Sequence, residues 1–90
     1  MQKKVVVVGM GYVGIPVAVS FARAGFIVVG INRSREKVDQ INNGISPIGG
    51  REPALASLLK KAVDAGRLRA TQSFAECKGA HAIIVAVQTP

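Results

Sequence analysis

The stretch Val5–Gly14, with the sequence VVVVGMGYVG, decides how this 90-residue chain folds. It opens with a run of valines that has no polar alternation, which is typical of a parallel strand covered on both faces. Glycines follow at once as Gly9, Gly11 and Gly14, in the spacing G-x-G-x-x-G. The stretch therefore predicts a buried strand that ends in a tight, glycine-rich turn.

The residues after the glycines complete a strand–helix–strand unit. Apart from Arg23, residues 12–24 are apolar or small and Gly25 supplies a stop, so we predict a helix from Tyr12 to Ala24. Residues 26–31 repeat the apolar strand pattern, which predicts a second strand from Phe26 to Ile31. The unit occupies about 30 residues, the length expected of βαβ.

The rest of the chain extends this alternation. Ser34 can cap a helix over Arg35–Asn42, and Pro53 starts a helix that Gly66 closes. Further predicted segments are a loop at Gly44–Gly50, a strand at Leu68–Thr71, a short helix from Ser73 to about Lys78 and a buried strand at Ala82–Val87. The order predicts an α/β fold, a partial three-layer, doubly wound parallel sheet of Rossmann type with about four strands in the order 3-2-1-4.

A length of 90 residues limits the chain to one domain or one piece of a domain, and 49% hydrophobic against 19% charged residues is enough apolar material for one compact core. The last predicted strand runs into Gln88–Pro90 with no closing helix behind it. We therefore expect residues 1–90 to be the N-terminal part of a dinucleotide-binding domain, with the catalytic and substrate domains absent from this chain.

The net charge of +7 favours anionic partners, such as a nucleotide cofactor, a nucleotide-linked substrate or nucleic acid. Tryptophan is absent and the aromatic residues are one Tyr and three Phe, so the stacking platforms of single-strand binders are missing and we expect no nucleic acid. An acidic remainder of the protein that balances the charge is an equal alternative.

Cys77 is the one cysteine and cannot form an internal disulfide. No residues have metal-ligand spacing, so we expect no metal site. Cys77 is expected to be a small buried residue and His81 to be structural or exposed. We identify no targeting segment and no membrane span, and expect a cytoplasmic protein.

The glycine turn predicts a phosphate site. Each glycine has a mechanical role: a tight turn at Gly9, close approach of the pyrophosphate at Gly11 and helix–strand packing at Gly14. The diphosphate would lie on the amides around Tyr12 and Val13, at the positive end of the first helix. The alternative is a tight turn that has no ligand.

The end of the second strand distinguishes NAD from NADP. An Asp or Glu about 20 residues beyond the glycines binds the ribose hydroxyls of NAD, but here the residue is Asn32. Asn32 does not repel a 2′-phosphate, and Arg33, Ser34 and Arg35 follow it with two cations and a hydroxyl. This favours NADP or a relaxed preference, and disfavours FAD. The alternative is that Asn32 binds an ordinary ribose while the arginines lie on a solvated helix start.

Further strings accompany the glycine turn in a fixed order. They are Gly9–Ala18, Lys37–Val38, Ile41–Gly44, Ser46–Ile48, Glu52–Pro53, Gly66–Arg69 and Val87–Pro90. Together they resemble the UDP-glucose/GDP-mannose dehydrogenase family, the nucleotide-sugar dehydrogenases. The resemblance spans essentially the whole chain.

The resemblance implies oxidation of the C6 hydroxyl of a UDP- or GDP-sugar to a carboxylate, with two hydrides passed to NAD, in polysaccharide biosynthesis. It implies that Tyr12 and Val13 meet the pyrophosphate, Asn32 and Lys37 the adenosine ribose, and Thr89 the cofactor near the fourth strand. The ending Gln88–Pro90 is most similar to the branch that acts on UDP-N-acetylmannosamine. We expect a homo-oligomer when the protein is full length.

Two residues depart from the family pattern: Asn32 replaces the usual Asp, and Ala54 replaces the usual Gly after Glu-Pro. The family's catalytic cysteine and lysine lie beyond residue 90, and Cys77 does not match the nucleophile's motif, so the chain alone is expected to be inactive. One alternative is a nucleotide-sensing Rossmann regulatory module, which would need no substrate domain. The other is another two-domain NADP-dependent dehydrogenase, which does not account for Ser46–Ile48 or Glu52–Pro53.

Overall fold

The chain forms a four-stranded parallel sheet flanked by helices in a computed structural model that describes residues 3–47 and 53–86. Its elements in chain order are β1 (Lys4–Val8), α1 (Gly14–Arg23), β2 (Ile27–Ile31), α2 (Arg35–Asn42), α3 (Pro53–Asp64), β3 (Leu68–Thr71), a 3₁₀ turn (Phe74–Cys77) and β4 (Ala82–Val85). The strand order is β3-β2-β1-β4, and every pair is parallel. The predicted fold class and strand order are confirmed.

The two faces of the sheet are covered unequally. Val5 and Val7 point to the face on which the helices pack, and they join a core that includes Ile15, Ile41 and Leu59. Alternate strand residues face the other way. There Val6, Val29 and Ile31 form a smaller buried cluster, which packs against Cys77 in the 3₁₀ turn and Ala80 after it. Because side chains alternate along a strand, the valine run supplies both clusters at once.

Several element boundaries differ from the predicted ones. Helix α1 begins at Gly14 rather than Tyr12, because residues 11–13 form the turn that leads into it. Strand β2 begins at Ile27 because the amide of Phe26 donates to the Phe21 carbonyl, 3.1 Å away, and so closes α1. The short fourth helix is a single 3₁₀ turn. Predictions that fall on residues 48–52 and 87–90 lie outside the described residues.

Two burial predictions were wrong. Among the described residues β4 is covered on one face: Ile84 packs on the helix side, while Ile83 is 49% exposed and Val85 is 67% exposed on the other. Cys77 in the 3₁₀ turn and Ala80 after it pack on the far-face cluster of β1 and β2, and this cluster includes no residue of β4. Cys77, expected to be buried, is half-buried at the edge of the same turn.

An ion-pair cluster secures the 3₁₀ turn to the sheet. The Arg69 guanidinium donates to both carboxylate oxygens of Glu76 at 3.0 Å, and the Lys4 ammonium lies 3.4 Å from the same carboxylate. The hydrogen bonds from Arg69 hold the pKa of Glu76 below its ordinary value of 4.5. A group whose pKa falls on folding stabilises the fold above its unfolded pKa, and this contribution is lost as the pH falls through the folded pKa.

We therefore expect Glu76→Gln to reduce the acid sensitivity of the chain. Between about pH 7 and about pH 3, the free energy of unfolding should decrease less in the variant than in the parent, because the variant has no carboxylate to protonate. Urea unfolding at both pH values measures this difference. Equal decreases in the free energy of unfolding of the two proteins would show that the ion pairing of Glu76 does not contribute to acid sensitivity.

Candidate functional site

A cleft of about 470 Å³ opens at the carboxyl ends of the central strands. It lies where the strand order reverses between β1 and β4, the position at which open parallel sheets bind ligands. Its volume is in the range of small-molecule sites. The described residues that line it are Val8, Gly9, Gly11, Ile31, Asn32, Arg33, Phe74 and Ala86.

Two glycines give the turn below this cleft its shape. Gly9 has a φ of 97°, which disfavours any residue with a side chain, and its amide donates to the Ile31 carbonyl at 2.8 Å. At Gly14 a Cβ would overlap the carbonyl oxygen of Gly9. Close packing of α1 on the end of β1 therefore requires glycine at both positions.

The start of α1 presents free amide groups. In the described part of the chain, the amides of Gly11, Tyr12, Val13 and Gly14 donate no hydrogen bond to the protein, and the first helical bond runs from Ile15 to the Gly11 carbonyl at 3.0 Å. The helix dipole adds partial positive charge at this end. A Cβ on Gly11 would have no protein atom within 4 Å, so the space in front of these amides is open. This geometry is suited to a diphosphate.

Asn32 connects the end of β2 to the glycine turn. Its Nδ2 donates to the Met10 carbonyl at 3.3 Å, and its Oδ1 accepts from the Ser34 amide at 2.9 Å. Each of these atoms keeps capacity for one more hydrogen bond, since an amide has two donors and its oxygen two lone pairs. Asn32 can therefore bind a ribose hydroxyl while it fixes the turn.

The structure separates the cations that follow Asn32. Arg33 lines the cleft, and its carbonyl accepts from the Gln72 side chain at 2.7 Å. Arg35 is exposed with its Nε 4.0 Å from an Asp39 carboxylate oxygen, and Lys37 is exposed on the first turn of α2. Neither Arg35 nor Lys37 is among the lining residues.

The remaining predicted binding residues take different places. The side chains of Tyr12 and Val13 are exposed at the start of α1, so only their amides point to a phosphate role. Thr89 lies outside the described residues. His81 stacks on Phe26 with 6.5 Å between ring centroids, at the amino ends of the strands and therefore away from the cleft.

Sequence reasoning missed one feature of the glycine turn and one of the cleft. Met10, which stands between Gly9 and Gly11, is fully buried, and a Cβ on Gly30 would lie 2.6 Å from its sulfur. Phe74 lines the cleft from the segment after β3. Hydrophobic periodicity could not have found Phe74, because it stands alone in a short polar segment.

Within residues 3–47 and 53–86, no group of three or more His, Cys, Asp and Glu could hold a metal ion. In the same residues, no helix has the length and apolar character that crossing a membrane requires.

The parallel sheet, the glycine turn and the open helix start together define a dinucleotide-binding unit of the Rossmann class. More narrowly, the chain belongs to the UDP-glucose/GDP-mannose dehydrogenase family, because residues 3–90 match the family's NAD binding domain.

Relatives of known function agree with this family. The chain is 37% identical over 87 residues to a UDP-N-acetyl-D-mannosamine dehydrogenase from Pyrococcus horikoshii, covering 97% of this chain and 20% of that protein. It is 41% identical over 88 residues to a GDP-mannose 6-dehydrogenase from Pseudomonas savastanoi pv. phaseolicola, and the match covers 97% of this chain and 20% of that protein.

A solved structure extends the agreement to the fold. An NDP-N-acetyl-D-galactosaminuronic acid dehydrogenase from Methanosarcina mazei superposes with a TM-score of 0.89 at 42% identity, over 99% of this chain and 20% of that one. The chain thus spans about a fifth of the length of the relatives it matches.

Proposed function

We propose that these residues are the N-terminal part of the cofactor domain of a nucleotide-sugar dehydrogenase. The whole enzyme would oxidise the C6 hydroxyl of a UDP- or GDP-sugar to a carboxylate and pass two hydrides to two molecules of cofactor. The observation that carries the proposal is the row of free amides, Gly11 to Gly14, that opens on the cleft at the start of α1. This chain would bind the cofactor, while the catalytic residues would come from the rest of the protein.

The substrate we favour is a UDP-N-acetylhexosamine, since relatives from Pyrococcus, Methanococcus and Salmonella are UDP-N-acetyl-D-mannosamine dehydrogenases at 37–43% identity. GDP-mannose is the alternative, supported by the Pseudomonas relatives at 41% identity. We further propose that the protein acts in the cytoplasm as a homo-oligomer and serves polysaccharide biosynthesis.

The bound cofactor would accept hydride, and the chain's residues would hold and orient it. The amides from Gly11 to Gly14 would bind the pyrophosphate, and Asn32 would direct the adenosine ribose through its spare donor and acceptor. Lys37 would add a contact to the adenosine ribose. Thr89 would contact the cofactor near the fourth strand. Arg33 would meet a 2′-phosphate if the cofactor is NADP.

Calorimetric titration of the chain with NAD and with NADP tests this proposal. Binding of either cofactor is the expected result, because the glycine turn and the free amides at the start of α1 both lie within this chain. If the titrations detect binding of neither NAD nor NADP, the proposed cofactor role is overturned.

Cofactor preference depends on Arg33 in this proposal. We expect Arg33→Ala to weaken NADP binding about tenfold relative to NAD, since a hydrogen bond to a charged group contributes ~1.5–3 kcal/mol. Asn32→Asp should shift the preference toward NAD through repulsion of the 2′-phosphate, although it also removes the donor to the Met10 carbonyl. Calorimetric titration with both cofactors gives the ratio of the affinity for NADP to the affinity for NAD.

Arg23→Ala is the matched control, because it removes the same charge from the last turn of α1, far from the glycine turn. It should leave the NADP to NAD ratio unchanged. If the ratio is also unchanged in Arg33→Ala and Asn32→Asp, the 2′-phosphate hypothesis is wrong.

A further inference from the structure

Phe74 is a large aromatic side chain that the fold leaves in solvent at the edge of the cleft. It is 61% exposed, belongs to neither hydrophobic cluster and lines the cleft together with Arg33. We infer that Phe74 stacks on the adenine base of the bound dinucleotide and forms one wall of the adenine pocket. This inference rests on the proposed cofactor-binding function.

The segment that carries Phe74 is fixed on both sides of the ring. Before it, the Gln72 side chain donates to the Arg33 carbonyl at 2.7 Å, and Ser73 receives a hydrogen bond at its Oγ from the amide of Ala75 at 3.2 Å. After it, Glu76 accepts two hydrogen bonds from Arg69. These bonds order the backbone that carries the ring, so that less conformational freedom of the segment is lost on binding.

The direction of the dinucleotide brings its base to this ring. With the pyrophosphate on the amides of α1, the adenosine ribose lies at the end of β2, where Asn32 stands. The base must then extend beyond Asn32, toward the β2 and β3 side of the cleft. Arg33 and Phe74 are the lining residues there, and the Gln72 hydrogen bond joins their two segments.

The chemistry of these two side chains suits a purine. A base stacks on an aromatic ring irrespective of its hydrogen-bonding edges, and a guanidinium can stack on the opposite face of the base. The described residues that line the cleft include no acidic side chain, so none of them repels the nucleotide's phosphates. Water would otherwise remain on the exposed ring, and adenine would displace it.

The test compares ligands with and without adenine. We expect Phe74→Ala to weaken binding of NAD and ADP about tenfold, in line with base–aromatic stacking measured by alanine substitution, and to leave the binding of inorganic pyrophosphate unchanged. Phe74→Tyr should bind both adenine nucleotides like the parent, because it keeps the ring. Ile45→Ala is the matched control, since it truncates another exposed apolar side chain outside the cleft lining.

A direct readout comes from Phe74→Trp. The chain has no tryptophan, so all indole emission in this variant reports on position 74. Stacking predicts that ADP changes this emission and that pyrophosphate does not. If NAD binds the parent and Phe74→Ala equally well, and ADP leaves the indole emission unchanged, the stacking role is overturned while the cofactor-binding function stands. If the parent binds neither NAD nor NADP, both fail.

Discussion

Gly14→Ala should be strongly destabilising, with a fall in melting temperature of roughly 10 °C or more. The added Cβ would overlap the carbonyl oxygen of Gly9, and a backbone atom cannot move aside as a flexible side chain can. Gly9 is itself fixed by its hydrogen bond to the Ile31 carbonyl, so the strain would spread to the junction of β1, β2 and α1. Thermal unfolding followed by circular dichroism measures the effect.

Gly11→Ala serves as the matched stability control for Gly14→Ala. It adds the same methyl group three residues earlier, where no protein atom lies within 4 Å and φ is not positive. This control should melt close to the parent. A Gly14→Ala protein that melts at the parent's temperature would contradict the close packing of α1 on the end of β1.

The largest expected effect on ligand binding belongs to Gly11→Ala. We expect its affinity for NAD to fall about 100-fold, which corresponds to ~2.7 kcal/mol, because the methyl group would occupy the open space through which the pyrophosphate approaches the amides. Calorimetric titration with NAD measures the loss. Parent-like affinity in this variant would mean that the diphosphate does not lie on the start of α1.

Together the two alanine variants distinguish support of the fold from binding of the ligand. Gly14→Ala tests a contact between protein atoms, whereas Gly11→Ala tests a contact that exists only when the cofactor is bound. If Gly11→Ala melts like the parent, its loss of affinity cannot be attributed to unfolding. Parent-like melting combined with lost binding is therefore the result that assigns the role of Gly11.

The order of elements and the sheet topology were predictable because their signals are local. The valine run, the glycine spacing and the stops at Gly25 and Gly66 each lie within a few residues of the structure they specify. Hydrophobic runs separated by helices then require parallel strands, whose crossovers have one preferred hand. The sequence by itself thus determined the fold class and the glycine turn, and it predicted the place where a nucleotide would bind.

Only the tertiary structure decided how the walls of the cleft are built. The Asn32 side chain reaches the Met10 carbonyl 22 residues away, and Gln72 reaches the Arg33 carbonyl 39 residues away. Periodicity contains no information about such pairs, because the residues meet only after the sheet has brought β1, β2 and β3 side by side. Within the described residues, the exposure of Phe74 at the cleft and of Ile83 and Val85 on β4 also depends on which segments the folded chain brings together, and no local sequence pattern records this.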